Sequence, residues 1–168
     1  MRAGRDERVR VRGAQRGSAS DLEALFRMHW PRAFRAAYLI THDTGAAEDI
    51  AQESFLAAIR ALDRFDRGRP FGPWLHRIVV NRAIDWTRAR KLRGEVELVD
   101  VLPARNEPRT GDDTYAALGR LAPEHRAVIV MRYLLEFTPG EIAEALDLPR
   151  GTVNSRLRRG LDALGEEL

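Results

Sequence analysis

Thr138-Pro-Gly-Glu-Ile-Ala-Glu-Ala-Leu-Asp-Leu-Pro-Arg-Gly-Thr-Val-Asn-Ser-Arg-Leu-Arg-Arg-Gly-Leu-Asp-Ala-Leu164 reads as helix, tight turn, helix. Thr138 and Glu141 have the spacing of a capping box, each side chain answering a backbone N–H at the helix start. Pro139 falls at the first helical position, where its missing N–H costs nothing. Ile142, Ala143 and Leu146 form the apolar stripe of this first helix, and Asp147-Leu148-Pro149 breaks it. Val153, Leu157, Leu161 and Leu164 then recur at i, i+4, i+8 and i+11, the pattern of a second amphipathic helix. Its other face carries Arg150, Asn154, Ser155, Arg158 and Arg159, with no acid from Arg150 to Leu161. Guanidiniums suit phosphates and guanine edges and an amide suits adenine, so the pair predicts a DNA-recognition helix-turn-helix. The plain alternative is a hairpin with a solvated basic face. A merely soluble helix intersperses both signs of charge, and this one does not.

The chain has 168 residues and a net charge of +3, room for one ordinary domain or two small ones. That modest sum hides segregation. Acids concentrate from Asp43 to Glu53, while bases crowd Arg2 to Arg16, Arg64 to Arg93 and Arg150 to Arg159. Local basic fields of this kind suit a polyanion. Cysteine is absent, which excludes a disulfide framework and a thiolate zinc site. No apolar stretch approaches the roughly 20 residues that span a bilayer, and no apolar segment follows the basic start as in a secretory signal. The expectation is a soluble cytoplasmic protein without membrane insertion.

Residues 1–19 are rich in Arg, Gly and Ala without apolar periodicity, and read as a disordered basic tail. Residues 20–93 form a first helical domain. Ser20 with Glu23 has capping-box spacing, and Pro31 predicts a kink or restart. From about Thr44 to Leu62, Ala47, Ile50, Ala51, Phe55, Ala58 and Ile59 share one face, while Glu48, Asp49, Gln52 and Glu53 occupy the other. A Gly/Pro/Arg-rich loop runs from Arg64 to Pro73, followed by a helix from about Trp74 to Lys91. Its core stripe is Leu75, Val79, Ala83 and Trp86, with Arg77, Asn81, Asp85 and Arg88 on another face. Residues 94–112 read as a linker. Residues 113–168 form a second domain, in which Pro123 opens a helix through Val128, Ile129 and Leu134 into the helix-turn-helix. The expected fold is all-α, two small helical domains joined by a flexible linker, each with a core thin enough to lean on a partner.

Four collinear segments, Ala47 to Phe55, Phe71 to Asp85, Leu121 to Val130, and Glu141-Ile-Ala143 with Gly151 to Leu157, resemble the signatures of extracytoplasmic-function sigma factors of bacterial RNA polymerase. The resemblance runs from about Asp21 to Leu164. It implies that the first domain corresponds to sigma region two and the second to region four. The implied partners are core RNA polymerase, through its beta-prime clamp helices and beta flap, and promoter DNA, with an anti-sigma factor as a further partner such proteins can have.

By that resemblance Glu48, Asp49, Gln52 and Glu53, with an exposed Leu56, form the surface for the clamp helices. Arg64, Arg67 and Phe71 of the loop, with Arg77, Asn81, Asp85 and Arg88 of the next helix, fall to the −10 element. Capturing a base there requires it to leave the stack, at a cost of a few kcal/mol. Phe65, Phe71, Trp74 and Trp86 are the candidate stacking rings, the two tryptophans lying on or beside the core stripe. At −35, Ser155 and Arg159 are expected at base edges, Asn154 favours adenine, and Thr152, Arg150 and Arg158 suit phosphates. The family often has a basic residue where Asn154 stands and arginine where Leu161 stands, so its −35 preference does not transfer.

No catalytic constellation is visible. His29, His42, His76 and His125 are scattered without metal-ligand spacing, and neither a cofactor nor an enzymatic activity is expected. The alternative function is a free-standing helix-turn-helix regulator, which would bind a palindrome as a symmetric dimer; two unlike DNA-facing segments argue against it. A small helical nuclease would need acids clustered in a basic groove, which Glu48 to Glu53 lack.

Overall fold

The computed structural model describes residues 2–94 and 112–167, with side chains from Gly4 to Gly94 and from Asp113 to Glu167. Almost all of the expected linker, residues 95–111, lies outside the described residues. Eight α-helices are present among them: α1 (Arg2–Gln15), α2 (Ala19–Thr41), α3 (Thr44–Ala61), α4 (Phe71–Leu92), α5 (Asp112–Arg120), α6 (Pro123–Ile129), α7 (Pro139–Leu146) and α8 (Arg150–Glu167). No described residue lies in a strand. A short 3₁₀ turn, Leu62–Arg64, follows α3, and α6 widens into one π turn over Val130–Leu134.

Residues 2–15 are helical, contrary to the disordered tail expected. The apolar signal is slight because Val11, 2 % exposed, is the one large side chain that α1 buries among the described residues. Polar anchors do the rest. Arg10 Nη1 donates to Asp21 Oδ1 at 2.9 Å, and Gln15 Nε2 donates to the carbonyls of Leu62 at 2.9 Å and Phe65 at 3.2 Å. Glu7 Oε1 sits 2.8 Å from His29 Nε2. The His29 hydrogen bond holds the Glu7 carboxyl below its usual range against the opposing effect of burial, helped by the N–H groups of Phe71 and Gly72 at the start of α4. A turn through Gly17, at φ 89°, leads into α2.

α2 starts differently from the expectation too. Ser18, not Ser20, is its N-cap, its Oγ accepting from Asp21 N at 3.2 Å, and Glu23 instead pairs with Arg27 at 2.7 Å. Nor does Pro31 interrupt the helix, which continues to Thr41. The proline is exposed, so the carbonyl of Arg27 that loses a donor can turn to water. Asp43 caps α3 through Ala46 N at 2.9 Å. α4 begins at Phe71, three residues before the expected start, with Pro73 accommodated in its first turn.

α2 is the central element of the first domain, packed on α1, α3 and α4. Leu25, Ala33, Ala37, Ile40, Ala47, Leu75, Val79 and Val80 are all essentially inaccessible to solvent. His76 is buried there beside His29, ring centroids 5.9 Å apart. Burial pushes its pKa down to about 4, reinforced by the positive fields of His29 and Arg32 and opposed by Glu7. In the unfolded chain histidine protonates near 6.5. As pH falls below about 6.5 the unfolded state takes up a proton that folded His76 refuses until about 4. Its contribution is therefore complete above 6.5 and lost through that window. We expect unfolding free energy, measured in urea, to fall by about 2 kcal/mol more between pH 7 and pH 5 in the wild type than in His76→Leu. Parallel profiles would show that His76 takes up its proton in the folded protein.

The second domain is built around Arg126, Val128, Met131, Ile142 and Val153, each 0 % exposed. The capping box of α7 is formed as expected: Glu141 N donates to Thr138 Oγ1 at 3.2 Å, and Thr138 N to Glu141 Oε2 at 2.7 Å. Asp147, left-handed at φ 51°, ends α7. The stripe of α8 departs from the expected one. Leu161 is 39 % exposed, while Gly160 is buried. A Cβ on Gly160 would lie 2.8 Å from Ile129 Cδ1, so the missing side chain lets α6 approach and rotates the buried face away from Leu161.

The two domains lean on each other. α2 and α4 pack against α6, and α2 also meets α5 and the π turn. Arg35 hydrogen-bonds the Tyr115 hydroxyl and stacks over its ring, and Arg32 lies 4.0 Å from Glu136.

Candidate nucleic-acid interface

Three surfaces gather the residues singled out by sequence. On α8, the pattern that buries Val153 and Gly160 turns Arg150, Asn154, Arg158 and Arg159 fully outward, with Thr152 and Ser155 half-buried. Thr152, Ser155 and Arg159 line a polar groove against Glu124 and His125 of α6, and Arg156 lines it with them. Sequence reasoning passed over Arg156 because it sits near the apolar side of the helix. Asn154 and Arg158 lie across the exposed arc from that groove. The exposed arc therefore runs from a polar groove edge to an open basic flank, and each side carries a hydroxyl or amide as well as a guanidinium, so base edges and phosphates can be met from both.

The second surface belongs to the loop after α3 and to α4. Arg64, Arg67 and Arg69 are exposed, and Asp66 is turned onto its own loop, its Oδ1 accepting from Gly68 N at 2.8 Å. Asp85 and Arg88 are exposed farther along α4. Phe71 is not available as a platform: it is 4 % exposed, with Phe65 edge-on at 5.8 Å, Trp74 at 5.7 Å and His29 at 5.4 Å. Phe65, 8 % exposed, is likewise core. The helix reaches back to Phe71 and carries its ring inward, where Phe65 of the loop packs edge-on against it. Trp74 stays half-buried, its ring 4.6 Å from Phe65, and Trp86 is half-buried under the Arg90 guanidinium at 5.0 Å.

Arg77 and Asn81 are also not free. Arg77 Nη2 donates to Glu144 O at 3.2 Å. Asn81 Nδ2 donates to Arg77 O at 3.0 Å and Ala145 O at 3.3 Å, the latter three helices on, in the second domain. The −10 face expected on α4 is thus partly covered by the end of α7.

The third surface is the outer face of α3. Glu48, Asp49, Gln52, Glu53 and Leu56 are all exposed, Leu56 at 51 %. Glu53 Oε2 pairs with Arg82 Nη1 of α4 at 3.3 Å, while Asp49 and Glu48 have no ion-pair partner among the described residues. Beside this face lies an apolar groove between α2 and α3, lined by Leu22, Phe26, Phe55, Ala58 and Ile59, with Phe26 and Ile59 each 40 % exposed. No group of histidines and carboxylates among the described residues is arranged to hold a metal ion.

Two stretches of the chain match known protein-family regions. Residues 25–93 match Sigma-70 region 2, and residues 112–164 match Sigma-70 region 4. The chain is 34 % identical to the ECF RNA polymerase sigma factor SigL of Mycobacterium tuberculosis, covering 93 % of each chain, and 29 % identical to SigW of Bacillus subtilis, covering 95 % of each. It is 35 % identical to SigE of Mycolicibacterium smegmatis over 87 % of this chain, and spans 61 % of the length of that relative. Among solved structures, CnrH in complex with the cytosolic domain of CnrY superposes with a TM-score of 0.68 at 26 % identity, covering 96 % of each chain. The fold also matches the sigma factor RpoE of Bartonella quintana, solved with the anti-sigma factor NepR, at a TM-score of 0.75 and 23 % identity over 89 % of this chain and 97 % of that one. With both regions matched in order and nearly the full length of SigL and SigW aligned, the chain belongs to the extracytoplasmic-function family of RNA polymerase sigma factors.

Proposed function

We propose that this alternative sigma factor divides its work among the three surfaces. The observation that carries the reading is the exposed arc of α8, with three outward arginines and an outward amide on a helix whose far side is locked by Val153 and Gly160. Ser155, Arg159 and Asn154 take −35 base edges, and Arg150, Thr152 and Arg158 hold phosphates. Arg64, Arg67, Arg77, Asn81, Asp85 and Arg88 serve the −10 segment, Phe71 supporting the loop from beneath. The acidic α3 face meets the clamp helices of the beta-prime subunit, where charge complementarity sets register and Leu56 adds desolvation. The second domain meets the beta flap. Phosphodiester synthesis is left to the polymerase, and the place of action is the cytoplasm.

An anti-sigma factor has the apolar groove beside Leu56 and Ile59 to compete for, and a helix laid in it would hold the clamp helices off. No helix among the described residues is long and apolar enough to cross a membrane.

Charge reversal at Asp49 and Glu53 tests the polymerase surface. The double variant Asp49→Lys, Glu53→Lys should bind core RNA polymerase about tenfold or more weakly in a fluorescence titration, with helix content unchanged by circular dichroism. Because Glu53 already faces Arg82, Glu53→Gln alone separates loss of that internal pair from loss of the partner. Unaltered affinity in the double variant would remove this face from the interface, and a wild type that does not bind core polymerase would overturn the function.

A further inference from the structure

α1 precedes the matched region 2 segment, yet it lies along the whole loop assigned to the −10 element. Near its start Glu7 holds the first N–H groups of α4, and at its end Gln15 holds the carbonyls of Leu62 and Phe65. Between these anchors Arg8 lines a narrow groove with Phe65, Arg67, Arg69 and Phe71. Arg5, Arg8 and Arg12 recur at i, i+3 and i+7, so they form one stripe, and all three are exposed. None has an ion-pair partner among the described residues. The acids of α1 are committed elsewhere, Asp6 to Arg10 at 3.8 Å and Glu7 to His29. Two functions are thereby separated on one helix: the acids, Arg10 and Gln15 anchor it, and Arg5, Arg8 and Arg12 face outward, Arg8 against the loop.

We propose that the Arg5, Arg8, Arg12 stripe of α1 binds the phosphate backbone of the promoter strand flanking the −10 segment, extending the basic surface of Arg64, Arg67 and Arg69. The inference rests on the assignment of that loop to the −10 element. The stripe spans about 10 Å of helix, room for about three phosphates of one strand. An unneutralised row of guanidiniums continuous with a second basic row fits a polyanion better than an acidic protein surface, which would present its charges in isolated patches.

The test uses holoenzyme assembled with full-length protein and a promoter carrying a mismatched −10 bubble. In Arg5→Ala, Arg8→Ala, Arg12→Ala the helix is kept, since alanine has the highest helix propensity. Three lost contacts should make the salt dependence less steep by about two units, so the affinity lost from about 50 to about 200 mM salt shrinks by about twentyfold. Arg5→Lys, Arg8→Lys, Arg12→Lys should restore the wild-type slope, because phosphate contacts need only charge and reach. A duplex carrying only the −35 box should not distinguish the variants. If the wild type binds the bubble template but the alanine variant keeps its salt slope, the stripe does not touch DNA and the proposal falls, leaving the sigma-factor reading intact. If the alanine variant instead loses core polymerase with an unchanged DNA slope, α1 is a protein contact and the proposal is again overturned. A wild type that fails on the bubble template would strike the −10 assignment itself.

Discussion

Holoenzyme containing this protein is expected to bind a promoter whose −10 segment is already unpaired on the order of 10²-fold more tightly than the same promoter fully paired. Unstacking and unpairing a base costs a few kcal/mol, and a template in which that cost is absent returns it as affinity. A simple duplex binder gains nothing from an open site, so the ratio separates strand opening from recognition. Asn81→Ala should narrow the ratio with little effect at the −35 box, because the amide lies on α4, the helix proposed for the −10 segment, and is not one of the α8 groups proposed for the −35 box. Open-complex formation on the two templates, followed by permanganate reactivity, reads the effect. Equal ratios for wild type and Asn81→Ala would take this residue out of the −10 site.

The second large effect is one of stability. Arg126 is 0 % exposed, and its Nη1 donates to the carbonyl of Gly119 at 2.8 Å, tying the end of α5 to α6. Arg126→Ala removes the donor, leaves that buried carbonyl without this bond and opens a cavity the size of a long side chain. Together these cost about 3–5 kcal/mol, which is most of what a domain of this size has to lose. Arg126→Met keeps most of the volume and gives up only the polar contacts, so its loss should be about 1–3 kcal/mol. Urea unfolding monitored by circular dichroism distinguishes them. A loss below about 1 kcal/mol for Arg126→Ala would mean that the second domain does not depend on the buried guanidinium.

The helix-turn-helix was legible because everything that defines it is local. The capping box spans four residues, the break at Asp147 is a left-handed cap that an aspartate tolerates, and the basic arc of α8 repeats within four turns. The features that escaped notice depend on distant partners. α1 is held by Gln15 reaching Leu62, 47 residues on, and by Glu7 reaching His29, so no window of periodicity contains its cause. His29 and His76, scattered in sequence, become neighbours with a carboxylate because α2 and α4 pack side by side. Arg126 resembles a surface residue until α5 is folded over it. Gly160 exchanges roles with Leu161 for a steric reason that only the approach of α6 reveals.

If α4 serves the −10 segment as proposed, the contact of Arg77 and Asn81 with the last carbonyls of α7 competes with DNA for the same donors. Backbone oxygens at the negative end of a helix dipole occupy the donors that a nucleic acid would use, and they are present at the effective concentration of a tethered group. Only the undocked fraction offers a vacant −10 face, so apparent affinity is the intrinsic one scaled by that fraction. If one chain in a hundred is undocked, DNA binding is about a hundredfold weaker than the site itself allows. A partner that holds the two domains apart removes this competition. On the proposed assignment, promoter affinity is then a property of the assembled enzyme, and the unassembled chain is expected to bind promoters weakly.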